Sequence, residues 1–194
     1  MSPVDPIDLF RRWYGEALRA AVAKPDAMAL ATAGPDGCPA VRMVLLSSFD
    51  ERGFVFHTNY RSRKAEEMAR QPRVALALWW DPLARQVRVE GRAEKTSEAE
   101  SDAYFAGRPR GSQLGAWASD QSAAIPDRAA LEARLAEAER RYQGGPVPRP
   151  PHWGGYRVVP DAIEFWEGRE NRLHDRVRYR RGEGGAWIAE RLAP

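Results

Sequence analysis

Short apolar or alternating segments recur along this chain between sequences that favour turns. Gly34-Pro35-Asp36-Gly37 and Asp50-Glu51-Arg52-Gly53 are two such turn sequences. Apolar runs and period-two alternation beside them indicate strands. On this pattern we predict nine strands, at residues 28–33, 41–48, 54–58, 74–80, 86–93, 155–159, 162–166, 172–180 and 186–191.

Helical segments separate these strands. We predict helices at residues 6–23 (within an N-terminal segment 1–24), 62–70, 98–105, 112–118 and 126–143. Two of them carry apolar stripes that we expect to face the core: Leu9, Trp13, Leu18 and Val22 in the first, and Leu131, Leu135, Ala138 and Tyr142 in the last. Antiparallel strands interrupted by helices predict one mainly β (α+β) domain over residues 1–194, a β-barrel with peripheral helices.

Composition narrows the class of protein. The chain has 194 residues, 43% of them hydrophobic and 29% charged, which is typical of one folded domain. A net charge of +3 is too small to indicate nucleic-acid binding without a clustered patch. Cys38 is the only cysteine, which excludes disulfides and thiolate metal sites. With no long apolar run and no signal sequence at residues 2–6, we expect a cytoplasmic protein.

One helix start carries cations where the helix dipole disfavours them. Ser62 is a candidate N-cap, and Arg63 and Lys64 follow in the first turn. A bound anion would reverse the unfavourable electrostatics, so this segment predicts a phosphate site. The alternative is a surface helix whose Glu66 and Glu67 offset the cations.

A second candidate anion site precedes the helix predicted at 112–118. Pro109 and Gly111 favour a tight turn there, Ser112 is a candidate cap, and Arg108 supplies a guanidinium that can bind phosphate with two hydrogen bonds. Two phosphate-type sites in one chain indicate two phosphorylated ligands, as a cofactor and a substrate would be.

A third set of cationic or proton-donating side chains lies near the C-terminus. Arg172, His174 and Arg176 occupy alternate positions, so on a strand they would share one face with neighbours about 7 Å apart. An anion or polar ligand across them would relieve their repulsion. The alternative is a solvated strand face.

Several enzyme classes lack their motifs here. The sequence has no G-x-G-x-x-G after a strand, no P-loop, no H-E-x-x-H and no G-x-S-x-G. We therefore expect no metal site, and an enzyme of this kind would take its chemistry from an organic cofactor. Tryptophans could supply flat apolar faces for a ring system, although core packing explains most of them: Trp79, Trp80, Trp117, Trp153 and Trp166.

Motifs spread over almost the whole chain, from about Asp5 to Pro194, resemble the pyridoxamine 5′-phosphate oxidase family. They are Arg42-Met43-Val44-Leu45-Leu46, residues 58–64, Arg85-Gln86-Val87, Tyr104-Phe105, Arg108-Pro109, Ser112-Gln113, Gly115-Ala116-Trp117, Gln121-Ser122, Trp153-Gly154-Gly155-Tyr156, Glu164-Phe165-Trp166 and Arg172-Leu173-His174-Asp175-Arg176. The resemblance implies an FMN-binding split β-barrel. It also implies a homodimer with active sites at the subunit interface.

Carried over by position, the resemblance also implies roles for single residues. FMN would be bound by Arg42, Met43, Val44, Leu45, Leu46, His57 (usually tyrosine), Thr58, Arg63, Lys64, Gln86, Gln121, Ser122, Trp166 and Arg176, some of them from the second subunit. The substrate phosphate would be bound by Tyr104, Arg108 and Ser112, together with position 47. Arg172 and His174 would cover the substrate ring as the catalytic pair.

The implied reaction oxidises pyridoxamine or pyridoxine 5′-phosphate to pyridoxal 5′-phosphate, with O2 reduced to H2O2. Ser47 stands where the family usually has lysine, which removes a charge-assisted contact of about 1.5–3 kcal/mol. The sequence also begins after a segment in which many members place further substrate contacts. Both features favour an alternative, a flavin oxidase of another ring compound such as a dihydrophenazine. A non-catalytic flavin-binding protein is the alternative of a different class, and a nucleic-acid binder is the least favoured.

Overall fold

Helices and strands lie close to where the sequence predicts them. The computed structural model describes residues 5–194. The strands are β1 Ala27–Ala33, β2 Pro39–Leu45, β3 Ser48–Asp50, β4 Gly53–Asn59, β5 Arg73–Trp80, β6 Arg85–Lys95, β7 Trp153–Glu167, β8 Asp175–Arg181 and β9 Trp187–Arg191. The α-helices are α1 Pro6–Arg19, α2 Arg63–Arg70, α3 Glu98–Ala106, α4 Arg110–Ala118 and α5 Arg128–Arg141.

The strands form one curled antiparallel sheet with the helices at its periphery, as predicted. The order along the sheet is β2-β1-β5-β6-β7-β4-β3, and β8 and β9 branch from β7. The sheet branches at β7, which is long enough to pair with three strands. On one edge of β7, residues 156–167 pair with the whole of β6. Its other edge is shared, the first half pairing with β4 and the second half with β8.

Three of the strand predictions are wrong in their boundaries. The strands predicted at 155–159 and 162–166 are one strand, which passes Pro160 by a shift of register opposite Glu90 and Gly91. A side chain at Gly91 would place its Cβ 2.1 Å from the carbonyl oxygen of Val159, so only glycine fits there. The segment 41–48 instead divides into β2 and β3, with a break at residues 46–47.

Helix α1 packs against the sheet and buries Ile7, Phe10 and Ala17 in the main core. Asp5 caps it by accepting a hydrogen bond of 2.7 Å from the Ile7 amide. The helix ends at Arg19 rather than at residue 23, after which Ala21 adopts a left-handed conformation. Of the predicted stripe, Trp13 is buried, Leu9 and Val22 are partly buried, and Leu18 is 54% exposed, so that part of the prediction is wrong.

A second, smaller core lies between α3, α4, α5 and the start of β7. It contains Phe105, Leu114, Ala138, Val147 and Trp153. On α5 only Ala138 of the predicted stripe is fully buried, while Leu131, Leu135 and Tyr142 are partly exposed.

The start of α4 also differs from the prediction. Helix α4 begins at Arg110, so Ser112 lies inside its first turn and does not cap it. The amide of Ser112 instead donates to the Pro109 carbonyl at 2.8 Å. No helix among residues 5–194 is long and apolar enough to cross a membrane. The expectation about a signal sequence at residues 2–6 falls largely on residues 1–4, which lie outside the described residues.

Candidate active site

Lys64 is a buried ammonium group where β4 ends and α2 begins. Its side chain donates to Gln121 Oε1 at 2.8 Å, Thr58 Oγ1 at 3.1 Å and Ser62 Oγ at 3.2 Å. All three partners are uncharged, and within residues 5–194 Lys64 forms no ion pair with a carboxylate. Burial, with a smaller contribution from nearby Arg42, lowers the pKa of Lys64 to about 8. An anion placed here would stabilise the charged form.

The other residues at this helix start differ in part from the prediction. Ser62 occupies the N-cap position, but its hydroxyl donates to the Asn59 carbonyl at 2.7 Å and makes no capping bond. The amide of Arg63 donates to Ser122 Oγ at 3.2 Å. Chain segments 59 residues apart therefore meet at this point, and they include Ser122, which only the family resemblance implied.

Glu67 holds two of the predicted cofactor residues. Its carboxylate is buried and accepts hydrogen bonds from Arg63 Nε at 2.7 Å, from Arg42 Nη2 at 3.0 Å and from the Thr32 hydroxyl. Although burial raises the pKa of Glu67, these bonds lower it on balance. The carboxylate thus offsets Arg63, as the surface-helix alternative proposed, but within residues 5–194 it forms no ion pair with Lys64.

A cavity of about 340 Å³ lies next to Lys64 and contains the second predicted cation. Its lining residues are His57, Thr58, Asn59, Arg108, Ser112, Gly115, Ala116, Ser119, Gln121 and Trp153. The Arg108 guanidinium rests over the ring of Trp153 at 4.5 Å, and its Nη1 is buried with no hydrogen-bond partner among residues 5–194. Burial lowers the pKa of Arg108. A partly buried guanidinium at a cavity wall is suited to bind an anion.

Aromatic rings form the wall beside Arg108. The His57 ring stacks on Tyr104 with centroids 3.8 Å apart and lies 5.3 Å from the ring of Trp153. Its Nδ1 is 3.0 Å from Ser47 Oγ. Burial, and secondarily the charge of Arg108, lowers the pKa of His57 to about 4, so the ring is neutral at pH 7.

Three predicted cofactor residues lie side by side on neighbouring strands elsewhere in the sheet. Gln86 on β6 pairs with Trp166 on β7, and Trp166 pairs with Arg176 on β8. The ring of His174 lies 4.6 Å from that of Trp166. No hydrogen bond within residues 5–194 joins this group to the cavity at Arg108.

The predicted row of Arg172, His174 and Arg176 on one strand face is wrong. Strand β8 begins at Asp175, so only Arg176 lies on it. Asn171 and Arg172 have φ values of 55° and 62°, which reverse the chain between β7 and β8. Arg172 is therefore exposed in the connecting turn, and His174 Nδ1 accepts a hydrogen bond of 3.1 Å from the Arg169 amide.

The segment 42–46, expected to contact the flavin, presents alternate faces because it is mostly strand β2. Met43 and Leu45 are exposed, Arg42 and Val44 are partly buried on the opposite face, and Leu46 is buried in the core. One ligand on one side of the sheet would meet only part of this set through side chains.

Two residues at the site are absent from the predicted cofactor-binding and substrate-binding sets. Trp153 supports Arg108, and Glu67 holds Arg42 and Arg63. The Arg63–Glu67 ion pair, one helical turn apart, agrees with the surface-helix alternative, in which Glu67 offsets a cation. Nothing local to Trp153 indicates its contact with Arg108, because that contact joins the start of β7 to the turn after α3.

Two family models match this chain, one after the other along the sequence. A family model described as pyridoxamine 5′-phosphate oxidase matches residues 14–142, and a model described as the pyridoxine 5′-phosphate oxidase C-terminal dimerisation region matches residues 153–194. The pyridoxine/pyridoxamine 5′-phosphate oxidase of Rubrobacter xylanophilus is 65% identical over 98% of this chain and 87% of its own length.

Solved structures with the same fold include PhzG from Burkholderia lata in complex with tetrahydrophenazine-1-carboxylic acid. It is 38% identical, has a TM-score of 0.94, and is aligned over 99% of this chain and 94% of its own. A pyridoxamine 5′-phosphate oxidase-related, FMN-binding protein from Nostoc punctiforme has a TM-score of 0.76 at 20% identity, over 99% and 100% of the two chains.

Proposed function

Because this chain belongs to the pyridoxamine 5′-phosphate oxidase family, we propose that it is an FMN-dependent oxidase. It converts pyridoxamine or pyridoxine 5′-phosphate to pyridoxal 5′-phosphate and reduces O2 to H2O2. The observation that carries this proposal is the pair of cations at one cavity. Lys64 and Arg108 lack a carboxylate partner within residues 5–194, and Thr58 and Gln121, which bind Lys64, line the cavity that contains Arg108. Two phosphorylated ligands would supply the two missing anions.

The residues around Lys64 fit the phosphate of FMN. The Gln121 side chain lies within hydrogen-bond distance of both the Thr58 hydroxyl and the Lys64 ammonium. The Ser122 hydroxyl lies within hydrogen-bond distance of the Arg63 amide at the start of α2. A phosphate bound beside a buried ammonium stabilises the charged form of that group. When bound, FMN would accept a hydride from the substrate carbon and pass the electrons to O2.

Arg108 and Ser112 would bind the substrate phosphate from the other side of the cavity. Arg108 has a buried Nη1 available for such a bond, and Ser112 lines the same cavity. Protein side chains would then orient the substrate and exclude water, and no nucleophile of the chain need form a bond to it. His57, being neutral at pH 7, would contribute shape rather than charge.

A homodimer would complete the site. The region matched by the dimerisation model contains Trp166, Arg172, His174 and Arg176, and none of them lines the cavity at Arg108 in its own chain. We propose that these residues of one subunit cover the cavity of the other, where Arg172 and His174 would face the substrate ring. The exposed turn that carries Arg172 suits contact with a second chain.

The proposal is tested by measuring peroxide release from purified, FMN-loaded protein with pyridoxine 5′-phosphate. Arg108→Ala should raise the KM for this substrate by about tenfold or more, since a charged hydrogen bond is lost, and should leave the Kd for FMN within about twofold. An equal loss of both affinities would contradict separate phosphate sites. Absence of turnover by the wild-type protein would contradict the assigned reaction.

Oxidation of a dihydrophenazine is the second candidate. The close structural match to PhzG favours it, whereas the 65% identity to a pyridoxine/pyridoxamine 5′-phosphate oxidase favours vitamin B6. Dihydrophenazine carboxylic acids carry a carboxylate but no phosphate, so Arg108→Ala should impair their oxidation less than that of pyridoxine 5′-phosphate. Parallel assays of peroxide release with both substrates separate the two candidates.

A further inference from the structure

His57 and Thr58 are neighbours on strand β4, so their side chains point to opposite faces of the sheet. Thr58 points to Lys64 and Gln121, the residues proposed to bind the FMN phosphate. His57 instead stacks on Tyr104 and lies beside Trp153. The contacts of His57 are thus with residues of the substrate side.

The His57 ring is fixed by Ser47. The amide of Ser47 donates to the Val55 carbonyl at 2.8 Å, and its hydroxyl donates to the same oxygen at 3.0 Å. With its proton engaged there, Ser47 Oγ can only accept from His57, 3.0 Å away, so Nδ1 carries the hydrogen. The bond therefore selects one tautomer and one ring orientation.

The third side of the ring faces β7. His57 pairs with Gly155, where a Cβ would lie 3.1 Å from His57 Nε2 and 2.5 Å from Thr96 Oγ1. Glycine leaves the room that the ring occupies. Nε2 is buried there without a hydrogen-bond partner among residues 5–194, which costs stability of about 1–3 kcal/mol. A phenylalanine would avoid this cost, so stability alone does not explain a histidine at this position.

We propose that the Ser47–His57 pair is a positioning device for the substrate phosphate site. The fixed imidazole holds the Tyr104 ring in a parallel stack, and beside them the Trp153 ring supports the Arg108 guanidinium at 4.5 Å. Loss of the Ser47–His57 bond frees the imidazole to rotate and loosens Tyr104 and Arg108 together. This inference rests on the proposed function, because it concerns the same substrate site.

The test is a double-mutant cycle of Ser47→Ala and His57→Phe in the FMN-loaded protein. Each single variant breaks the same hydrogen bond, worth about 1 kcal/mol, so each should raise the KM for pyridoxine 5′-phosphate about fivefold while kcat stays within about twofold. The double variant should be no worse than the poorer single variant. Ser47→Thr, which keeps the hydroxyl, should restore the wild-type KM, and Ser48→Ala, at the exposed neighbouring serine, should not change it.

Two further measurements separate positioning from a structural role. The Kd for FMN should be unchanged in all variants, and the Tm of His57→Phe should equal or exceed that of the wild type. Unchanged KM values in both single variants, multiplied effects in the double variant, or a parallel loss of FMN would each overturn the proposal. If the wild type does not oxidise pyridoxine 5′-phosphate, the proposed reaction fails, and the same cycle is then read from the Kd for pyridoxal 5′-phosphate.

Discussion

Raising the pH from 7 to 9 should weaken FMN binding through one residue, Lys64. The buried ammonium has a pKa of about 8 in the free protein, lowered from its usual value because burial disfavours the charge. A bound phosphate dianion favours the ammonium form, so the pKa of Lys64 should rise when FMN binds. Binding above pH 8 must then be accompanied by uptake of a proton, and the affinity falls as the pH increases.

The magnitude follows from the pKa of about 8 in the free protein. If only the ammonium form binds phosphate, about nine-tenths of the protein is competent at pH 7 and about one-tenth at pH 9. The Kd for FMN should therefore increase about tenfold over this interval, or about 1.4 kcal/mol. The phosphate itself contributes little, because its second pKa is about 6 and it is largely dianionic throughout.

The assay is titration of the apoprotein with FMN, followed by quenching of flavin fluorescence at constant ionic strength. Riboflavin, which has the same ring system without the phosphate, should show no comparable change of Kd. Lys64→Arg keeps a charged group at all these pH values and should bind FMN with a Kd independent of pH. The reasoning would be refuted if the Kd of the wild-type protein for FMN stayed within about twofold between pH 7 and pH 9. It would also be refuted if the Kd of Lys64→Arg changed with pH as much as that of the wild type.

The remaining predictions concern stability. Phe10→Ala removes a fully buried ring that contacts Phe49 and Phe54, and should lower the free energy of unfolding by about 3–5 kcal/mol in urea titrations. Leu18→Ala, on the exposed side of the same helix, should change it by less than about 1 kcal/mol, and a similar loss in both variants would contradict the burial of this face. Gly91→Ala pushes β6 and β7 apart at their irregularity and should lower the free energy of unfolding by about 1–3 kcal/mol. Gly111→Ala, with open space around its Cβ position, should leave that free energy unchanged or raise it.

The strands and the cation at the α2 start were predictable because their signals are local. Alternation of apolar residues specifies a strand wherever it falls, and a lysine in a first helical turn is unfavourable in any fold. The prediction of two strands in place of β7 was wrong, and the gap between them fell at Pro160 and Asp161. Proline cannot donate a ladder hydrogen bond, but it is tolerated at an irregularity, and Gly91 on β6 provides one.

Other features of the site depend on pairing between distant segments. Ser47 meets His57 only because β3 and β4 form a hairpin, and Ser122 meets Arg63 across 59 residues of chain. The left-handed conformation of Arg172 is also invisible to periodicity, since arginine has no preference for it. The family resemblance implied several of these residues, but it gave neither their contacts nor the departure of Arg172 from the strand.

The four cations of the site differ in whether a carboxylate pairs with them. Arg63 and Arg42 share the carboxylate of Glu67, and their pairing contributes to the folded state without a ligand. Lys64 is buried among uncharged groups and Arg108 is partly buried beside aromatic rings, which costs the free protein stability because desolvation disfavours both charges. A phosphate at each position would offset that cost, so binding energy would come from charges that the fold leaves without counter-ions. On this basis the paired arginines would stabilise the position of α2, while the unpaired lysine and arginine would distinguish an anionic ligand from a neutral one.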